Sequence, residues 1–311
     1  MPRGTPMVPA ARVLSDDRTN ELLATSQLVY TAISTRSGPH ATPQAFAVFA
    51  GRLWSITPRS SLKARVIRRH RAVGALVRHG RHSLVIGGTA EVISPWGFGD
   101  ATRLARHVLT AQGALATYAA RNARLLAGYL RDLLSLPAGA LPYDRALIAI
   151  RPQRALLVEG DAVVARWGRW SSPRVAAKAD SNGVVGADVT DLLRKVPSES
   201  AEASHHGGAC VAGWTDASGP LALPASWDPV RRVATVSADL VDAARLGRHS
   251  PVCITLDHCA GIRPTRFRGV MLRGQGHAAA PRGRSVRINV QVARITWWNG
   301  FNAGTVDQAS S

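Results

Sequence analysis

Cysteine is scarce in this 311-residue chain, and its placement argues against two common kinds of structural site. The three cysteines, Cys210, Cys253 and Cys259, are an odd number without a C-x-x-C spacing, so neither a disulfide framework nor a structural zinc site is indicated. Two segments come closest to a metal cluster, namely His205-His206 ahead of Cys210 and the run Asp257-His258-Cys259. We interpret them as a loop and the end of a strand, and we expect no bound metal.

Long apolar runs are also missing from the sequence. No stretch reaches the ~18 apolar residues that a membrane-spanning helix needs. Residues 1–6 lack the apolar segment of a secretory signal. These absences predict a cytoplasmic protein that makes no membrane contact. A length of 311 residues is enough for two domains with full cores.

Lysine is rare in a chain that carries a formal net charge of +19 and has an isoelectric point near 11.5. Only Lys63, Lys178 and Lys195 are lysines, and the arginines are spread over both halves of the sequence. This skew, with abundant alanine and glycine, is typical of proteins from GC-rich genomes. We therefore do not take the charge as evidence for a nucleic-acid partner, and we expect a small-molecule substrate. Residues 65–71 nevertheless carry enough positive charge to bind an anion.

A short stretch of the sequence occurs twice. Residues 37–46 return as residues 218–227 at an offset of 181, with Ser, Gly, two Pro and one Ala identical. The similarity continues at an offset of 180, from residues 52–57 to residues 232–237. A repeat of this length indicates two related domains rather than a solenoid, whose period is ~20–50 residues. We predict a first domain over residues 13–165, a linker over 166–204 and a degenerate second copy over 205–311.

Short strands and tight turns dominate the first copy. Turn residues at Ser37-Gly38-Pro39 separate two β-type segments and predict a hairpin. Because closure removes exposed edges, the pattern favours a closed or nearly closed barrel with one small helix. The predicted elements are a helix over 13–24, strands over 28–34, 41–49, 53–56, 73–77, 83–92 and 146–150, and a helix over 60–69.

A helical insert is predicted over residues 100–136, where the apolar period changes to that of a helix. Gly113 and Gly128 are the expected breaks in this helix. The second copy lacks the insert. The apolar side of the predicted helix consists of Leu104, Val108, Leu115, Tyr118, Leu126, Tyr129 and Leu133.

The order of motifs in residues 28–93 resembles the flavin-binding split barrels related to pyridoxamine 5′-phosphate oxidase. The motifs are the S-G-x-P turn with P-x-x-F at 37–46, G-x-L-x-x-x-T at 51–57, a basic turn into a helix at 58–65 and G-x-A-E at 88–91. The resemblance implies a six-stranded antiparallel barrel, usually dimeric, that holds FMN or the deazaflavin F420 between two barrels. The fold expected here is therefore mainly β with helical insertions, as two tandem split β-barrels forming an internal pseudo-dimer.

An anion site is predicted at the start of the helix over 60–69. Free backbone N–H groups and the positive end of the helix dipole attract anions, and hydroxyl and basic side chains add to this attraction. The second copy replaces Lys63 with Ala243 and gains two acids, so we expect the cofactor phosphate on the first copy only. The alternative is a solvated basic helix face. The predicted phosphate ligands are Arg59, Ser60, Ser61, Lys63 and Arg65.

Further cofactor contacts are implied by the resemblance. His40 and Gln44 flank the hairpin near the expected isoalloxazine, and otherwise they are exposed turn residues. Four arginines of the second copy are candidates to reach across the interface, with Arg266 and Arg268 preferred over Arg263 and Arg273; an ordinary half-buried strand also explains their alternation. For Trp54 we prefer a place in the barrel core, and the alternative is a ring that stacks on the flavin. Trp297-Trp298 with Phe301 is read as barrel packing first and a cofactor wall second.

The function that the resemblance implies is an FMN- or F420-dependent oxidoreductase acting on an unknown small organic substrate. No side chain stands out as acid, base or nucleophile, so the catalytic residues stay unassigned. Two alternatives remain open at this point. The first is a haem-binding or haem-degrading split barrel, which needs an axial ligand such as His40, His70, His79 or His82. The second is a non-catalytic protein that binds a cofactor or nucleic acid.

Overall fold

The computed structural model folds into two antiparallel β-sheets, one from each half of the chain. The structure describes residues 10–93, 101–134, 144–170, 192–202, 209–216, 218–228, 230–231, 233–244, 249–259, 263–279 and 281–307.

Fourteen strands make up the two sheets, seven in each. The first sheet contains β1 (Leu28–Thr35), β2 (Gly38–Phe49), β3 (Arg52–Pro58), β4 (Ala72–His79), β5 (His82–Ile93), β6 (Arg145–Glu159) and β7 (Ala162–Trp167). The second sheet contains β8 (Ala209–Asp216), β9 (Gly219–Asp228), β10 (Val233–Ser237), β11 (His249–Cys259), β12 (Phe267–Ala278), β13 (Ser285–Asn299) and β14 (Asn302–Asp307).

Both sheets close into six-stranded barrels with the same strand order. The strand order of the first barrel is β3-β2-β1-β4-β5-β6, and the barrel closes through the pairing of β3 with β6. Strand β7 pairs with β6 outside this ring. The second runs β10-β9-β8-β11-β12-β13, closes through β10 and β13, and carries β14 on β13. Closure gives every strand of the ring two neighbours, so the ring has no unpaired edge. The predicted fold class of two tandem barrels is thereby confirmed.

The repeated sequence motifs lie at equivalent places in the two barrels. Gly38 opens β2 and Gly219 opens β9, and both have positive φ, of 96° and 110°, which glycine adopts without strain. A β-bulge also recurs, at Gly87/Gly88 between β5 and β6 and at Arg273/Gly274 between β12 and β13. The offset found in the sequence therefore matches a real structural equivalence.

Six α-helices flank the barrels within the described residues, and two short 3-10 segments accompany them. Asp16 caps the first helix by accepting a hydrogen bond from the Arg18 N–H at 3.1 Å. The helices are α1 (Asp17–Thr25), α2 (Leu62–Arg69), α3 (Ala101–Arg121), α4 (Ala123–Leu133), α5 (Ser198–Ala201) and α6 (Ala238–Ala244), and the 3-10 segments are Ala10–Ser15 and Pro264–Arg266.

The helical insert divides at Asn122, so the predicted breaks at Gly113 and Gly128 are wrong. The Asn122 side-chain amide donates to the Phe46 carbonyl at 3.1 Å and to the Tyr118 carbonyl at 2.9 Å, which ties the junction of α3 and α4 to the barrel. Gly113 lies inside α3 against the ring of Phe49, where a Cβ would not fit.

The predicted apolar side of the insert is also corrected. Leu115 is exposed, while Ala111, Ala114 and Tyr118 form the buried face of α3. At Ala111 and Ala114 the helix packs closely on the outer surface of the barrel, and close packing at these two positions leaves little room for leucine. The side chains of Leu104 and Val108 lie outside the described residues.

The two barrels share one apolar core. Tyr30, Ala32 and Ala41 of the first barrel lie in the same buried cluster as Val211 and Leu221 of the second. Such a cluster excludes water from the interface and holds the barrels together as the predicted internal pseudo-dimer.

Polar contacts fix the orientation of the barrels across this core. The Tyr30 hydroxyl donates to Asp257 at 2.9 Å, and the Thr255 hydroxyl donates to the Ala41 carbonyl at 2.6 Å. Ser34 and Thr215, which are counterparts at the offset of 181, hydrogen-bond to each other at 3.3 Å. A bond between two counterparts lies on the axis that relates the barrels, so the arrangement is a pseudo-two-fold one.

The predicted linker over 166–204 overlaps the first sheet, because β7 continues to Trp167. Residues 171–191 lie outside the described part of the chain. Beyond them, Leu192 and Val196 are buried in the shared core. In the residues that the structure describes, no helix has the length and apolar character to cross a membrane.

Helix α4 is fixed to the second barrel through a buried carboxylate. Asp132 is fully buried and accepts hydrogen bonds from Arg263 Nε at 2.9 Å and from the Thr265 N–H and hydroxyl at 3.1 and 2.8 Å. Burial alone raises the pKa of Asp132, but the hydrogen bonds from Thr265 and Arg263 outweigh it and lower the pKa below its ordinary value.

We predict that Asp132→Asn lowers the free energy of unfolding by about 2–3 kcal/mol, because it weakens charge-assisted hydrogen bonds to a buried group. Urea unfolding at pH 7 measures the change. Asp242→Asn on the exposed side of α6 is the matched control and should leave stability unchanged. Equal stabilities of the two variants would contradict this account of α4.

Candidate functional site

Lys63 lies on the inner face of α2, where its side chain is 5% exposed. The buried positions of this helix are Lys63, Ala64 and Ile67, so the apolar spacing of the sequence turns the lysine inward. Its Nζ donates to Oε1 of Gln44 on β2 at 2.7 Å. The predicted residues Lys63 and Gln44 are thus brought together.

The amine of Lys63 is held by a neutral partner. Burial lowers the pKa of Lys63 from its ordinary value of 10.5 to about 7. In the described part of the chain no carboxylate forms an ion pair with it. The amine therefore exchanges its proton near neutral pH and would gain charge if an anion came to lie beside it.

His40 lies on the same side of β2 as Gln44, because side chains alternate along a strand. Burial, with the positive charges of Lys63 and Arg273 acting in the same direction, lowers its pKa to about 3. The imidazole is consequently neutral at physiological pH. Its Nδ1 is buried and has no hydrogen-bond partner among the described residues.

Arg273 reaches the site from β12 of the second barrel. It is 5% exposed, and its Nη1 donates to the Ser37 hydroxyl in the β1–β2 turn at 3.1 Å. Nη2 donates to the Thr296 hydroxyl at 3.0 Å. Arg273 thus touches the turn that leads into β2, the strand that carries His40 and Gln44, and Gln44 in turn binds Lys63. We call these four residues the polar junction: His40, Gln44, Lys63 and Arg273.

The remaining predicted phosphate ligands divide between the two sides of α2. The Ser61 hydroxyl accepts a hydrogen bond from the Ala64 N–H at 3.1 Å, so it caps the helix, and it lies 3.1 Å from the Thr57 hydroxyl. Lys63 and Arg65 are about 200° apart around a helix of 3.6 residues per turn. Arg65 and Ser60 are accordingly exposed, and Arg59 is half-buried.

Arg266 and Arg268 lie away from the polar junction. Arg266 is exposed at the end of the short 3-10 segment that precedes β12. Arg268 is five residues before Arg273 on β12, which places it about 16 Å away along the strand. Of the arginines on β12, Arg273 rather than Arg268 therefore contacts Ser37 of the first barrel. Arg263, the fourth arginine, is bound to Asp132.

Trp54, Trp297 and Trp298 each lie against residues of their own half of the chain. Trp298 lies over Gly269 and Trp297 over Gly304, both on neighbouring strands of the second sheet. Trp54 is buried between the first barrel and α3, with its indole N–H donating to the Phe49 carbonyl at 2.9 Å. Of the C-terminal aromatic cluster, Phe301 makes the contact with the other half. Its ring meets that of Tyr129 edge-on, with centroids 5.6 Å apart.

The second barrel has apolar residues where the first has the polar junction. Leu221 stands at the position of His40 and Ala225 at that of Gln44. Ala243 on α6 stands at the position of Lys63 on α2, and both are buried. The equivalence expected from the sequence thus holds in the helix as well as in the strand.

Among the histidines proposed as axial haem ligands, His40 is the one that belongs to the polar junction. His70, His79 and His82 are exposed on the outside of the first barrel. In the segments proposed as a metal cluster, Asp257 accepts a hydrogen bond from Tyr30, and His205 and His206 lie outside the described residues.

Comparison with known proteins gives matches among solved structures. No family model matches the chain. No curated protein matches it. A conserved hypothetical protein from Mycobacterium tuberculosis is 18% identical with a TM-score of 0.33, covering 49% of this chain and 89% of its own. An FAD-binding protein from Mesorhizobium loti is 17% identical with a TM-score of 0.33, covering 45% and 91%.

A third solved structure is that of a pyridoxamine 5′-phosphate oxidase-related, FMN-binding protein from Nostoc punctiforme. It is 19% identical with a TM-score of 0.31 and covers 48% of this chain and 81% of its own. Each likeness therefore concerns the fold of about half of the chain.

We predict that Lys63 titrates near pH 7 in the protein without ligand. The chain has only three lysines, so labelling at Cε gives three signals, and Lys63→Arg identifies the one that belongs to Lys63. Because the unfolded chain keeps this proton up to about pH 10.5, the free energy of unfolding should rise between pH 7 and pH 10 in the wild type relative to Lys63→Met. A Lys63 signal that stays protonated up to pH 10 would contradict the prediction.

Proposed function

We propose that the chain binds one flavin-type cofactor, FMN or F420, at the polar junction and acts as an oxidoreductase on a small organic substrate. The observation that carries the proposal is a buried lysine with a neutral partner beside a buried His40 Nδ1 without one. Buried polar atoms are nearly always hydrogen-bonded in folded proteins, and an unpaired one costs ~1–3 kcal/mol. A ligand that is anionic at one end and has polar ring atoms at the other supplies both missing partners.

The residues of the polar junction suit such a cofactor. Lys63 has three donors and Gln44 takes one of them, so the others are available to a phosphate near the capped start of α2. Neutral His40 offers one donor or one lone pair to a polar ring edge. Arg273 adds a fixed positive charge from the second barrel. Arg59, Ser60 and Arg65 remain candidates for a phosphate that extends to the outer side of α2.

The difference between the two barrels supports the proposal of a single site per chain. The equivalent positions of the second barrel are buried and apolar at Leu221 and Ala243, so a charged group there would lose its hydration without a partner. We propose that the two barrels arose by duplication and that the second site was then filled with apolar residues.

The cofactor, when bound, would supply the chemistry of hydride or electron-pair transfer. The part played by this chain is positioning. The shared apolar core keeps water from the interface, Lys63 holds the anionic end, and the hydrogen bond from Arg273 to Ser37 fixes the second barrel against the first. We propose that the protein works in the cytoplasm.

We predict that Lys63→Met weakens binding of the cofactor by about 1–3 kcal/mol, or about 5–150-fold, because one charge-assisted hydrogen bond is lost from a buried site. Titration of FMN and of F420 into the full chain, followed by fluorescence, measures the affinities and a stoichiometry of about one per chain. The absorption spectrum of the purified protein tells FMN, F420 and haem apart.

Lys195→Met is the matched control, because Lys195 is exposed and lies beyond the first barrel. It should bind the cofactor like the wild type. If both cofactors bind the wild type and Lys63→Met equally well, or if neither binds, the proposed function is wrong.

A further inference from the structure

A cleft of about 530 Å³ lies beside the polar junction, between the β1–β2 turn of the first barrel and strands β12 to β14 of the second. This volume is within the range of ~300–1,000 Å³ that small-molecule sites occupy. Its lining includes three arginines, Arg36, Arg273 and Arg294, and one acid, Asp307. Arg273 belongs to both the cleft and the polar junction.

Arg273 lines the cleft and carries a buried donor that has no partner among the described residues. Its Nη1 and Nη2 are hydrogen-bonded, but its Nε is buried and, among the described residues, has no acceptor. The β-bulge at Arg273/Gly274 sets the direction of this side chain, since a bulge turns a residue out of the regular alternation. An unpaired guanidinium N–H in such a place needs an acceptor that the protein does not supply.

The other end of the pseudo-two-fold interface is built differently. The residue equivalent to Arg273 is Gly87, and the pair Gly87–Arg154 in the β5–β6 ladder matches the pair Arg273–Arg294 in the β12–β13 ladder. Arg154 lies across Gly87, is 5% exposed, and is covered by the ring of Trp170 at 4.6 Å. Arg294 instead remains 38% exposed in the open cleft.

The charge of the cleft selects anions. Three guanidinium groups face one carboxylate, and Arg294 forms an ion pair with Asp307. Guanidinium groups bind carboxylate and phosphate oxygens through two parallel N–H donors, which makes arginine suited to both. Arg36 is exposed on the turn, so it can meet a ligand that enters from solvent.

We infer that the cleft binds an organic anion, through a carboxylate or a phosphate group, and that this anion is the class of substrate that the proposed oxidoreductase acts on. The second part of this inference rests on the proposed function, whereas anion binding in the cleft does not. The shared residue Arg273 would place the anion next to the cofactor.

Isothermal titration of the full chain with succinate and with inorganic phosphate, at constant ionic strength, tests the binding. The wild type should show saturable one-to-one binding of at least one probe, and the tighter probe identifies the group. Arg294→Gln and Arg36→Gln should each weaken it by about tenfold, the loss of one charged hydrogen-bond donor. Asp307→Asn should strengthen it, because a repelling charge is removed.

Arg231→Gln is the control for nonspecific attraction, since Arg231 is exposed on the turn between β9 and β10 and is absent from the cleft. It should bind as the wild type does. Absence of saturable binding of both probes, or an equal loss in Arg231→Gln and Arg294→Gln, would overturn the inference. Thermal unfolding of each variant confirms that all are folded.

Measuring cofactor affinity in the same variants separates this inference from the proposed function. If both hold, Arg294→Gln weakens binding of the anion far more than binding of the cofactor, and Lys63→Met does the reverse. Anion binding that depends on Arg294, in a chain that takes up neither FMN nor F420, would support the cleft and contradict the proposed function. Cofactor binding that depends on Lys63, without any anion binding, would contradict the cleft alone.

Discussion

The burial of Lys63 against a neutral amide is the constraint on which the candidate site depends. Transferring an ammonium from water into an apolar surrounding is costly, so the group either releases its proton or gains an anionic partner. A pKa of about 7 puts Lys63 at the balance between these outcomes. Its neighbours fit that balance, since Gln44 holds the amine without adding charge and His40 is neutral. The same energetics are the reason for proposing an anionic ligand here.

The pseudo-two-fold arrangement allows the positions of the second barrel that correspond to the polar junction to carry different residues. A dimer of identical barrels carries the same residues at both junctions, whereas a single chain with two barrels can keep one and change the other. Leu221 and Ala243 bury apolar surface, which favours association by ~25 cal/mol per Å². Lys63 and Arg273 oppose association because they lose hydration. The apolar surface buried at Leu221 and Ala243, which belong to the core shared by both barrels, offsets part of this loss of hydration.

Much of the fold could be predicted because its signals are local. The turn at Gly38 recurs at Gly219, since a positive φ at the start of a hairpin demands glycine. Lys63 stood out because lysine is rare in the chain and this one lies near the start of a helix. The sequence could not show that Lys63 points inward while Arg65 points outward, because the packing of α2 on the barrel decides the buried face.

Other features depend on contacts between distant residues, which local signals in the sequence do not specify. Arg268 and Arg273 both lie on β12, and only the sheet register and the bulge determine that Arg273 meets the first barrel. The break between α3 and α4 arises from the hydrogen bond of Asn122 to Phe46, which lies 76 residues away in the chain. Glycine was the local signal for a break, but Gly113 serves close packing instead.

Arg273 connects the polar junction with the cleft. Its charge lowers the pKa of His40 on one side, and its side chain lines the cleft on the other. Burial lowers the pKa of Arg273 itself, and the charge of Arg294 lowers it in the same direction, so an anion in the cleft would relieve an unfavourable interaction. An anion in the cleft would also reduce the net charge beside His40 and Lys63. If both ligands bind as proposed, the two sites would be coupled through charge, because whatever neutralises Arg273 changes the electrostatic potential at the junction.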